Sequence, residues 1–463
     1  MRNSQEPGAE DLAPRPALPA RRLERELGKP SSEWKSQDLL AFVQDRGIRV
    51  VSLMHVGGDG WLKALDFAPR SLEHLKDVIE GGERADGSSI FGSAGIEPGA
   101  SDILLRPRVS SAFLDPFSAL PTLALLCGHA DRDGKPLPVS PDTIVRAAAA
   151  HAARETGTEL MALGEVEFFL GRHGTEADAY GSDDHGYHAA SPFVFGERLR
   201  REAMTLLAEI GVPIKYGHSE VGYIRPAPPE DIIWEQHEIE MSLAPLADAA
   251  DHVVLTQWVL RNLAHGDGMR CSFDPIMRKG HAGSGLHFHF SPVRDGRHCG
   301  RCDEQGRLST EAQWLVAGLC CFGAALMAFG NRVEGSFARL VQGKETPTAI
   351  TWGRFDRHAL VRIPLTARAA DGREVAPPTI EFRLPDGSAH PHLLLAGVAQ
   401  AYVSGRRTED IDNFARGATG RGTGRLPVTA REIAEALQEH RAVLEEGSVF
   451  PPGLIDHAIA SLG

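Results

Sequence analysis

Five short segments of the chain share one pattern, in which two polar residues stand at positions i and i+2 and large apolar residues fill the alternate positions. Because successive side chains of a β-strand point to opposite faces, each segment is predicted to be a strand with one apolar and one polar face. The polar pairs are Glu165/Glu167, His218/Glu220, Glu238/Glu240, His287/His289 and Glu381/Arg383. The fold must therefore supply strands with two unlike sides.

The composition of these polar faces is unusual for a surface. Alternation alone is also typical of antiparallel strands with a solvated face, and for any single strand that is the simpler interpretation. A solvated face is commonly mixed and rich in Lys, whereas these five hold Glu, His and Arg. Clustered carboxylates repel one another unless cations hold them, and oxygen ligands with an occasional imidazole suit Mg²⁺ or Mn²⁺. Together the five faces predict a shared, metal-binding concave site.

Arginines are the second ingredient of the predicted site. Arg339, Arg357, Arg362 and Arg383 lie in one part of the chain, which also contains Glu345. Guanidinium groups suit phosphate and carboxylate oxygens, and carboxylate-held divalent ions with several arginines are typical of phosphoryl transfer. The chain has no Walker GxxxxGK[ST] motif, no kinase Gly-rich loop and no GxSxG nucleophile elbow. A P-loop enzyme, a kinase and a serine hydrolase are therefore not favoured.

Length and charge restrict the class of protein further. The 463 residues predict one large and one smaller domain. The formal net charge is -13 and the basic residues form no long run, so a nucleic-acid partner is not expected. No segment reaches about 18 consecutive apolar residues, and the N-terminus lacks the apolar core of a signal peptide. We expect no membrane association and a cytoplasmic protein.

The six cysteines predict neither a disulfide framework nor a zinc site. Cys299 and Cys302 form a lone CxxC without a second ligand pair, so two free thiols in an exposed loop are favoured over structural zinc. The Gly- and Arg-rich stretch 416–425 is interpreted as a surface loop and not as a phosphate-binding loop, because no strand pattern precedes it.

Three regions are predicted along the chain. Residues 1–34 mix Pro, Ala, Arg and Glu without periodicity, which is typical of a disordered or loosely docked tail. Residues 35–130 form a small sheet domain, in which a hairpin over 48–67 turns at a Gly-rich tetrapeptide. The larger domain, 131–463, opens with a helix that Ser140 caps and Gly157 ends.

From about residue 36 onward, the order and spacing of these motifs resemble the glutamine synthetase family. The resemblance implies an α+β fold, with a small N-terminal β-grasp domain and a large C-terminal catalytic domain whose curved antiparallel sheet is surrounded by helices. Asp86-Gly87-Ser88-Ser89 is similar to a family loop that completes the active site of the neighbouring subunit. By this resemblance the chain would form a ring homo-oligomer, Asp86 would help to bind and deprotonate ammonium, and Ser89 would contact substrate.

The resemblance also implies two metal sites. Residues 165–169 are similar to the family's Glu-x-Glu-Phe-Phe strand, and Glu220 matches the Glu of its His-His-Glu motif, although Ser219 replaces the second His. The implied ligands are Glu167, Glu220 and Glu238 for one ion and Glu165, His287 and Glu381 for the other.

Substrate contacts are implied in the same way. Gly186-Tyr187 matches a Gly-Tyr whose ring borders the ammonium pocket, and Gly283 and His289 belong to a Gly-x-Gly-x-His-x-His segment of the glutamate and nucleotide site. His289 would lie near the transferred phosphate, and Arg339 would hold the substrate carboxylate. Glu345 resembles a catalytic flap glutamate. The arginines that would grip ATP and the developing phosphate are Arg357, Arg362 and Arg383.

The implied activity is ATP-dependent synthesis of glutamine from glutamate and ammonia through γ-glutamyl phosphate. Two departures favour an alternative, a γ-glutamyl ligase that uses an organic amine or polyamine. Ala282 stands where most members carry an Asn that contacts the amino acid, and Tyr223–Glu235 resembles an insertion beside the metals. A non-catalytic structural or regulatory member is the third possibility, and retention of all six implied ligands argues against it.

Overall fold

The structure is a computed structural model that describes residues 21–92, 101–303, 305–342, 344–408 and 424–463. Of the predicted tail, residues 1–20 lie outside the described part of the chain, as does 416–423 of the Gly- and Arg-rich stretch. The remainder of the tail is ordered, contrary to the prediction: helix α1 covers Arg22–Leu27, and Leu23 and Trp34 are buried in the small domain. These two apolar side chains anchor a segment whose polar composition suggested disorder.

The small domain is a sheet with helices packed on it. Its helices are α2 (Ser36–Asp45), α3 (Leu72–Gly81) and α4 (Gly87–Phe91), and its strands are β1 (Val50–Val56), β2 (Leu62–Phe67), β3 (Glu83–Asp86), β4 (Asp102–Pro107), β5 (Phe113–Leu114) and β6 (Thr122–Ala130). The strand order is β2-β1-β6-β4-β3, with β1 parallel to β6. The predicted hairpin is present as the antiparallel pair β1/β2.

The large domain surrounds a second sheet with helices. Its helices are α5 (Pro141–Thr156), α6 (Glu197–Ile210), α7 (Leu246–Gly266), α8 (Thr310–Gly330), α9 (Glu334–Gln342), α10 (Pro391–Gly405), α11 (Ala430–Glu445) and α12 (Pro452–Leu462). Its strands are β7 (Glu159–His173), β8 (Ile214–Ile224), β9 (Ile232–Met241), β10 (Ala244–Pro245), β11 (Arg270–Ser272), β12 (Leu286–Arg294), β13 (Arg297–His298), β14 (Trp352–Arg354), β15 (Val361–Ile363) and β16 (Ile380–Phe382).

The five patterned segments are neighbours in this sheet. The strand order is β14-β15-β16-β12-β7-β9-β8, and each pair from β16 to β8 is antiparallel. The apolar residues behind them, such as Val166, Phe168, Ile239 and Phe288, are buried in the core of the domain. The alternation in sequence therefore gives one continuous polar face, which we call the polar face of the large sheet.

Helix α5 begins and ends where the sequence predicts. Pro141 occupies its first turn, and Gly157 adopts the left-handed conformation at φ +68° that ends it. Ser140 makes no side-chain capping bond; its hydroxyl instead lies 2.8 Å from Nδ1 of His129 in the small domain. The residue expected to cap a helix thus links the two domains.

Helix α8 is long and apolar enough to cross a membrane, with a mean hydropathy of 1.8, and it is the one such helix in the described ranges. Most of it is buried inside the domain against α10 and α11. Its contact with α10 is close: a Cβ added to Gly318 would lie 2.2 Å from the Ala401 carbonyl oxygen. Its apolar surface is accounted for by this core packing.

Buried histidines lie where the two domains meet. Nε2 of His129 lies 3.0 Å from Nδ1 of His55, and the ring of Phe91 packs edge-on against His129. From the large domain, Nε2 of His390 donates to the carbonyl of Gly57 at 3.3 Å. Burial lowers the pKa of His55 to about 4 and that of His129 to about 3, so both are neutral at pH 7.

Candidate active site

A cavity of about 890 Å³ lies over the polar face of the large sheet. Every site residue predicted in the large domain lines it, namely Glu165, Glu167, Tyr187, Glu220, Glu238, Gly283, His287, His289, Arg339, Glu345, Arg357, Arg362, Glu381 and Arg383. Asp86 and Ser89 are not among the lining residues of this single chain. The sheet and its loops therefore bring together the groups that sequence reasoning selected there.

Strand register fixes the order of these groups across the sheet. Glu165 is paired with His287 on one side and with Glu240 on the other. One step along the strands, Glu167 is paired with Glu238, which is paired in turn with His218. These rows of carboxylates and imidazoles cross the middle of the face because the strands are antiparallel and in register.

Two groups of side chains have ligand atoms that all lie within 4.8 Å of one another: Glu165, His289 and Glu381, and His218, Glu220 and Glu238. Each differs by one member from the predicted set. Local hydrogen bonds explain the difference. Oε2 of Glu167 already accepts from Nε2 of Gln236 and from the backbone of Gly285, both at 2.7 Å. Nδ1 of His287 lies 3.1 Å from Glu165 but 3.7 Å from Glu381, while its Nε2 faces Arg339.

The electrostatics of the site suit bound cations. Burial, assisted by the charge of Glu167, raises the pKa of Glu220 to about 8. Burial also raises the pKa of Glu238, and the charge of Glu165 adds to the effect. Carboxyl and imidazole groups form the donor set that Mg²⁺ and Mn²⁺ accept, and a cation would relieve this repulsion. The residues present therefore fit divalent metal ions.

His289 has the opposite electrostatic setting. Burial alone would lower its pKa, but the neighbouring carboxylates of Glu165, Glu381 and Glu240 together outweigh burial and raise the pKa to about 9. The same imidazole, together with His287, holds the pKa of Glu165 well below its usual range against the effect of burial. A positively charged imidazole at this position is suited to a phosphate oxygen.

Two arginines hold the buried carboxylate of Glu381, and a third pairs with Glu345. Glu381 is fully buried and accepts from Nη1 of Arg362 at 2.7 Å and from Arg383 at short range. Nη2 of Arg383 also donates to the carbonyl of Glu345 at 3.0 Å, and Arg357 lies 3.6 Å from the Glu345 carboxylate. Arg357 and Glu345 are both about half exposed, so they remain accessible from the cavity.

Arg339 is held more tightly than its predicted role requires. Its side chain is buried, and it donates to the backbone carbonyls of Leu384 at 2.9 Å and of Pro385 at 3.2 Å. Its Nη2 lies 3.3 Å from Nε2 of His287. Its contacts orient His287 and the chain after β16, and a substrate carboxylate would have to compete for donors already in use.

Segment 223–235, which resembles an insertion beside the implied metal sites, contributes no residue to the lining of the cavity. Strand β8 continues to Ile224 and β9 begins at Ile232, so the two ends of the segment extend a hairpin and residues 225–231 connect its strands. Glu235 faces away from the cavity and accepts from the backbone N–H groups of Phe195 and Gly196 at 2.6 and 2.7 Å. The extra residues thus strengthen the sheet and hold the start of α6.

Some lining residues escaped sequence reasoning. Tyr216 continues the i, i+2 series of His218 and Glu220, and this signal could have identified it. Lys215 was not identified either, although its ammonium lies 2.6 Å from Glu240. Asp184 and Lys344 come from irregular segments, where no periodicity indicates which way a side chain points. The side chains that loops contribute to the cavity therefore could not be predicted from sequence periodicity.

Asp86 caps α4 at the surface of the small domain. Its carboxylate accepts from the Ser89 hydroxyl at 2.6 Å and from the Ser88 hydroxyl at 2.7 Å. Hydrogen bonds from these hydroxyls hold the pKa of Asp86 far below its usual range. The carboxylate is therefore a persistent negative charge on an exposed loop.

Comparison with known proteins connects both domains to one family. Residues 138–461 match the family model described as glutamine synthetase, catalytic domain, and residues 47–131 match glutamine synthetase, beta-Grasp domain. A glutamine synthetase of Azospirillum brasilense is 30% identical over 421 residues, which cover 83% of this chain and 86% of that protein. A 3-hydroxylaminophenol mutase of Cupriavidus pinatubonensis is 29% identical over 458 residues, or 90% and 93% of the two chains.

Solved structures share the fold. Plasmodium falciparum glutamine synthetase superimposes on this chain with a TM-score of 0.78 at 18% sequence identity. The superposition covers 92% of this chain and 95% of the Plasmodium chain. Apo GmaS gives a TM-score of 0.72 at 22% identity, with 92% and 94% covered. The predicted α+β fold, with a β-grasp domain before a catalytic domain, is confirmed.

Proposed function

Because the chain belongs to the glutamine synthetase family, we propose that it is an ATP-dependent ligase that forms glutamine from glutamate and ammonia through γ-glutamyl phosphate. The observation that carries the proposal is the single cavity over the polar face, in which carboxylates, imidazoles and arginines converge. Positioning and charge neutralisation are what phosphoryl transfer requires of a protein.

Two divalent cations, Mg²⁺ or Mn²⁺, fit the proposed chemistry. Glu220 and Glu238 would hold one and Glu165 and Glu381 the other, as both the predicted ligand sets and the observed groups contain these pairs. The two ligand sets would be completed by residues that line the same cavity, namely Glu167, His218, His287 and His289. When bound, such ions supply charge neutralisation for the transferring phosphoryl group.

The protein's own cations would act on ATP and on the acyl phosphate. Arg362 and Arg383 are fixed by Glu381 and so present their remaining donors in a set direction. Arg357 is free to follow the γ-phosphate because its side chain is half exposed. The Glu345 carboxylate, beside Arg357, would close over the intermediate and exclude water.

We further propose that the active enzyme is a cytoplasmic ring homo-oligomer, and that Asp86 and Ser89 act in the cavity of the adjacent subunit. Their absence from the cavity of their own chain supports this arrangement. Asp86, kept ionised by serine hydroxyls, would bind ammonium and accept its proton, while Tyr187 borders the amine. The other partners that we propose for the protein are small-molecule substrates, and we propose no nucleic-acid or membrane partner.

One experiment tests the proposal and its alternative. Phosphate release from ATP is measured with Mg²⁺ and glutamate, and the amine is varied among ammonia, methylamine, ethanolamine and polyamines. We expect release to be fastest with ammonia, and formation of glutamine confirms the coupling. Absence of release with every amine would support a non-catalytic member and remove the proposal.

A specific observation favours the organic-amine alternative. Tyr187 is about half exposed and stacks on His188 with ring centroids 4.2 Å apart, and His188 lies against His218 at 4.6 Å. This group of rings lies beside Glu220, and aromatic faces next to a carboxylate suit an alkylammonium ion. Faster phosphate release with an organic amine than with ammonia would establish this alternative.

A further inference from the structure

An ion pair between Asp184 and Lys344 lies in the wall of the cavity. The Lys344 ammonium is 3.1 Å from the Asp184 carboxylate, and both residues line the cavity with Tyr187 and Ala282. The Lys344 side chain is 49% exposed. Partly exposed single ion pairs contribute little to folding stability. The position of this pair in the wall of the site therefore calls for a functional reason.

A short series of hydrogen bonds connects the pair to the metal-binding face. Asp184 accepts from the backbone N–H of Ala282 at 3.2 Å. The carbonyl of the next residue, Gly283, accepts from Nε2 of Gln236 at 2.9 Å, and the same nitrogen donates to Glu167 at 2.7 Å. The pair is thus held at the end of the cavity where Ala282 and Gly283 form the wall.

The backbone around the pair is held in an uncommon conformation. Asp184 has φ +51°, and Glu345, which follows Lys344, has φ +50°. Residues other than Gly are disfavoured in this left-handed region, and they persist there when their surroundings hold them, often at ligand sites. Ala282 adds only a methyl group between these segments, so this end of the wall keeps room for a ligand.

We infer that Asp184 and Lys344 determine the acid specificity of the site by recognising the ammonium and the carboxylate at the non-reacting end of an α-amino dicarboxylate. This inference rests on the proposed function and assigns the residues that recognise its acid substrate. Asp184 accepts hydrogen bonds from the substrate ammonium, and Lys344 donates to its α-carboxylate. A zwitterion complements the pair and replaces their mutual contact with two charge-assisted ones. Lys344 also donates to the carbonyl of Gly280, but about half of its side chain is exposed and it lines the cavity. Arg339 is buried and its donors are engaged by backbone carbonyls, so Lys344 is the more accessible of the two cations.

Ligand binding tests the inference without requiring turnover. Full-length wild type, Asp184→Asn and Lys344→Met are titrated by calorimetry in Mg²⁺ and ADP with glutamate, glutarate and 4-aminobutyrate, and weak ligands are measured by competition. Asp184→Asn should weaken the binding of glutamate and of 4-aminobutyrate by about tenfold or more. The binding of glutarate should not change, since only glutarate lacks the ammonium. Lys344→Met should weaken the binding of glutamate and of glutarate to the same extent. The binding of 4-aminobutyrate, which lacks the α-carboxylate, should not change.

Matched controls come from Asp183, the neighbour of Asp184, and from Lys279, in the loop whose Gly280 carbonyl contacts Lys344. Asp183→Asn and Lys279→Met alter exposed neighbours that do not line the cavity, and both should bind all three ligands as wild type does. Equal weakening of all three ligands by each test variant would show that the pair only latches the loops together and would overturn the inference. Unchanged binding in both test variants would overturn it as well.

The outcome separates the inference from the proposed function. Phosphate release by the wild-type protein reports on the ligase activity, whereas the pattern of dissociation constants reports on the pair. Selective losses without any phosphate release would remove the proposed function and retain the inference. Phosphate release without selective loss of binding would retain the proposed function and remove the inference.

Discussion

Glu235 and Glu238 are buried carboxylates on the same strand, and their odd spacing points them to opposite faces of the sheet. Glu235 accepts two backbone hydrogen bonds and holds the start of α6. Glu238 has instead the like charges of Glu165 and Glu167 as neighbours, and its proposed partner is a cation. The same residue type on one strand therefore contributes to folding at one position and to chemistry at the other.

Glu238→Gln should separate activity from stability. Turnover is expected to fall at least about 100-fold because a proposed metal ligand is lost. Without metal, the melting temperature should rise by about 2–4 °C because the substitution relieves repulsion among buried carboxylates. Differential scanning fluorimetry with and without Mg²⁺ measures this, and wild-type turnover would contradict the assignment of Glu238 as a ligand.

Glu235→Gln is the matched substitution on the opposite face. The amide oxygen can still accept from both N–H groups, but the amide NH₂ replaces Oε2, the second acceptor of the Phe195 N–H, and the negative charge is lost. The free energy of unfolding should therefore fall by about 1–3 kcal/mol. The rise in melting temperature on adding Mg²⁺ should remain as in wild type. Urea denaturation provides the measurement, and loss of the Mg²⁺ response would mean that the two faces are coupled.

At the scale of elements, sequence patterns located the strands because alternation has a fixed physical cause. The five segments in which polar and apolar residues alternate form five adjacent strands, and their polar residues form one wall of the cavity. Two features escaped prediction. The two ends of segment 223–235 extend a hairpin because the apolar residues Ile224, Ile232 and Trp234 are buried, and Asp184 and Lys344 reach the cavity from loops without periodicity. Tertiary packing, which no local pattern encodes, decided both.

The crossing of α8 and α10 depends on two glycines, Gly318 of α8 and Gly405 of α10. A Cβ on Gly318 would lie 2.2 Å from the Ala401 carbonyl oxygen, and backbone atoms of a packed helix cannot move aside cheaply. Gly318→Ala should therefore reduce the free energy of unfolding by about 1–3 kcal/mol in urea denaturation. Gly266→Ala is the control, since nothing lies within 4 Å of its Cβ position at the end of α7. Equal stability of the two variants would contradict the close crossing.

At the scale of the whole molecule, the two domains meet through neutral histidines. His55 and His129 have folded-state pKa values of about 4 and about 3, below the usual 6.5 of an unfolded chain. The unfolded chain therefore takes up protons first on acidification. The stabilisation is complete above about pH 6.5 and is lost as the pH falls toward 4.

Acidification should lower the free energy of unfolding through the histidines of this interface. From pH 6.5 to 4.5 each histidine is expected to lower the free energy of unfolding by roughly 1 kcal/mol per pH unit. Urea denaturation across this range measures the slope, and a double variant His55→Gln/His129→Gln should show a shallower one. Identical slopes for wild type and the double variant would assign the pH dependence to other groups.

Active sites shared between subunits would permit complementation. Asp86→Ala and Glu238→Gln proteins should each be inactive, the first without its amine-side carboxylate and the second without a metal ligand. After dissociation and random reassembly at equal amounts, about a quarter of the sites would combine an intact Asp86 with an intact Glu238. Phosphate release by the mixture measures this, and a mixture as inactive as its components would place Asp86 outside the neighbouring site.

The burial of α8 has a consequence for biosynthesis. The helix leaves the ribosome well before α10 and α11, the two helices that cover it. Until they follow, the nascent chain presents an apolar segment that could enter a bilayer or self-associate. A chain that terminates before Pro391 would never gain this cover, so premature termination should yield aggregated or membrane-adsorbed protein and not a shorter folded form.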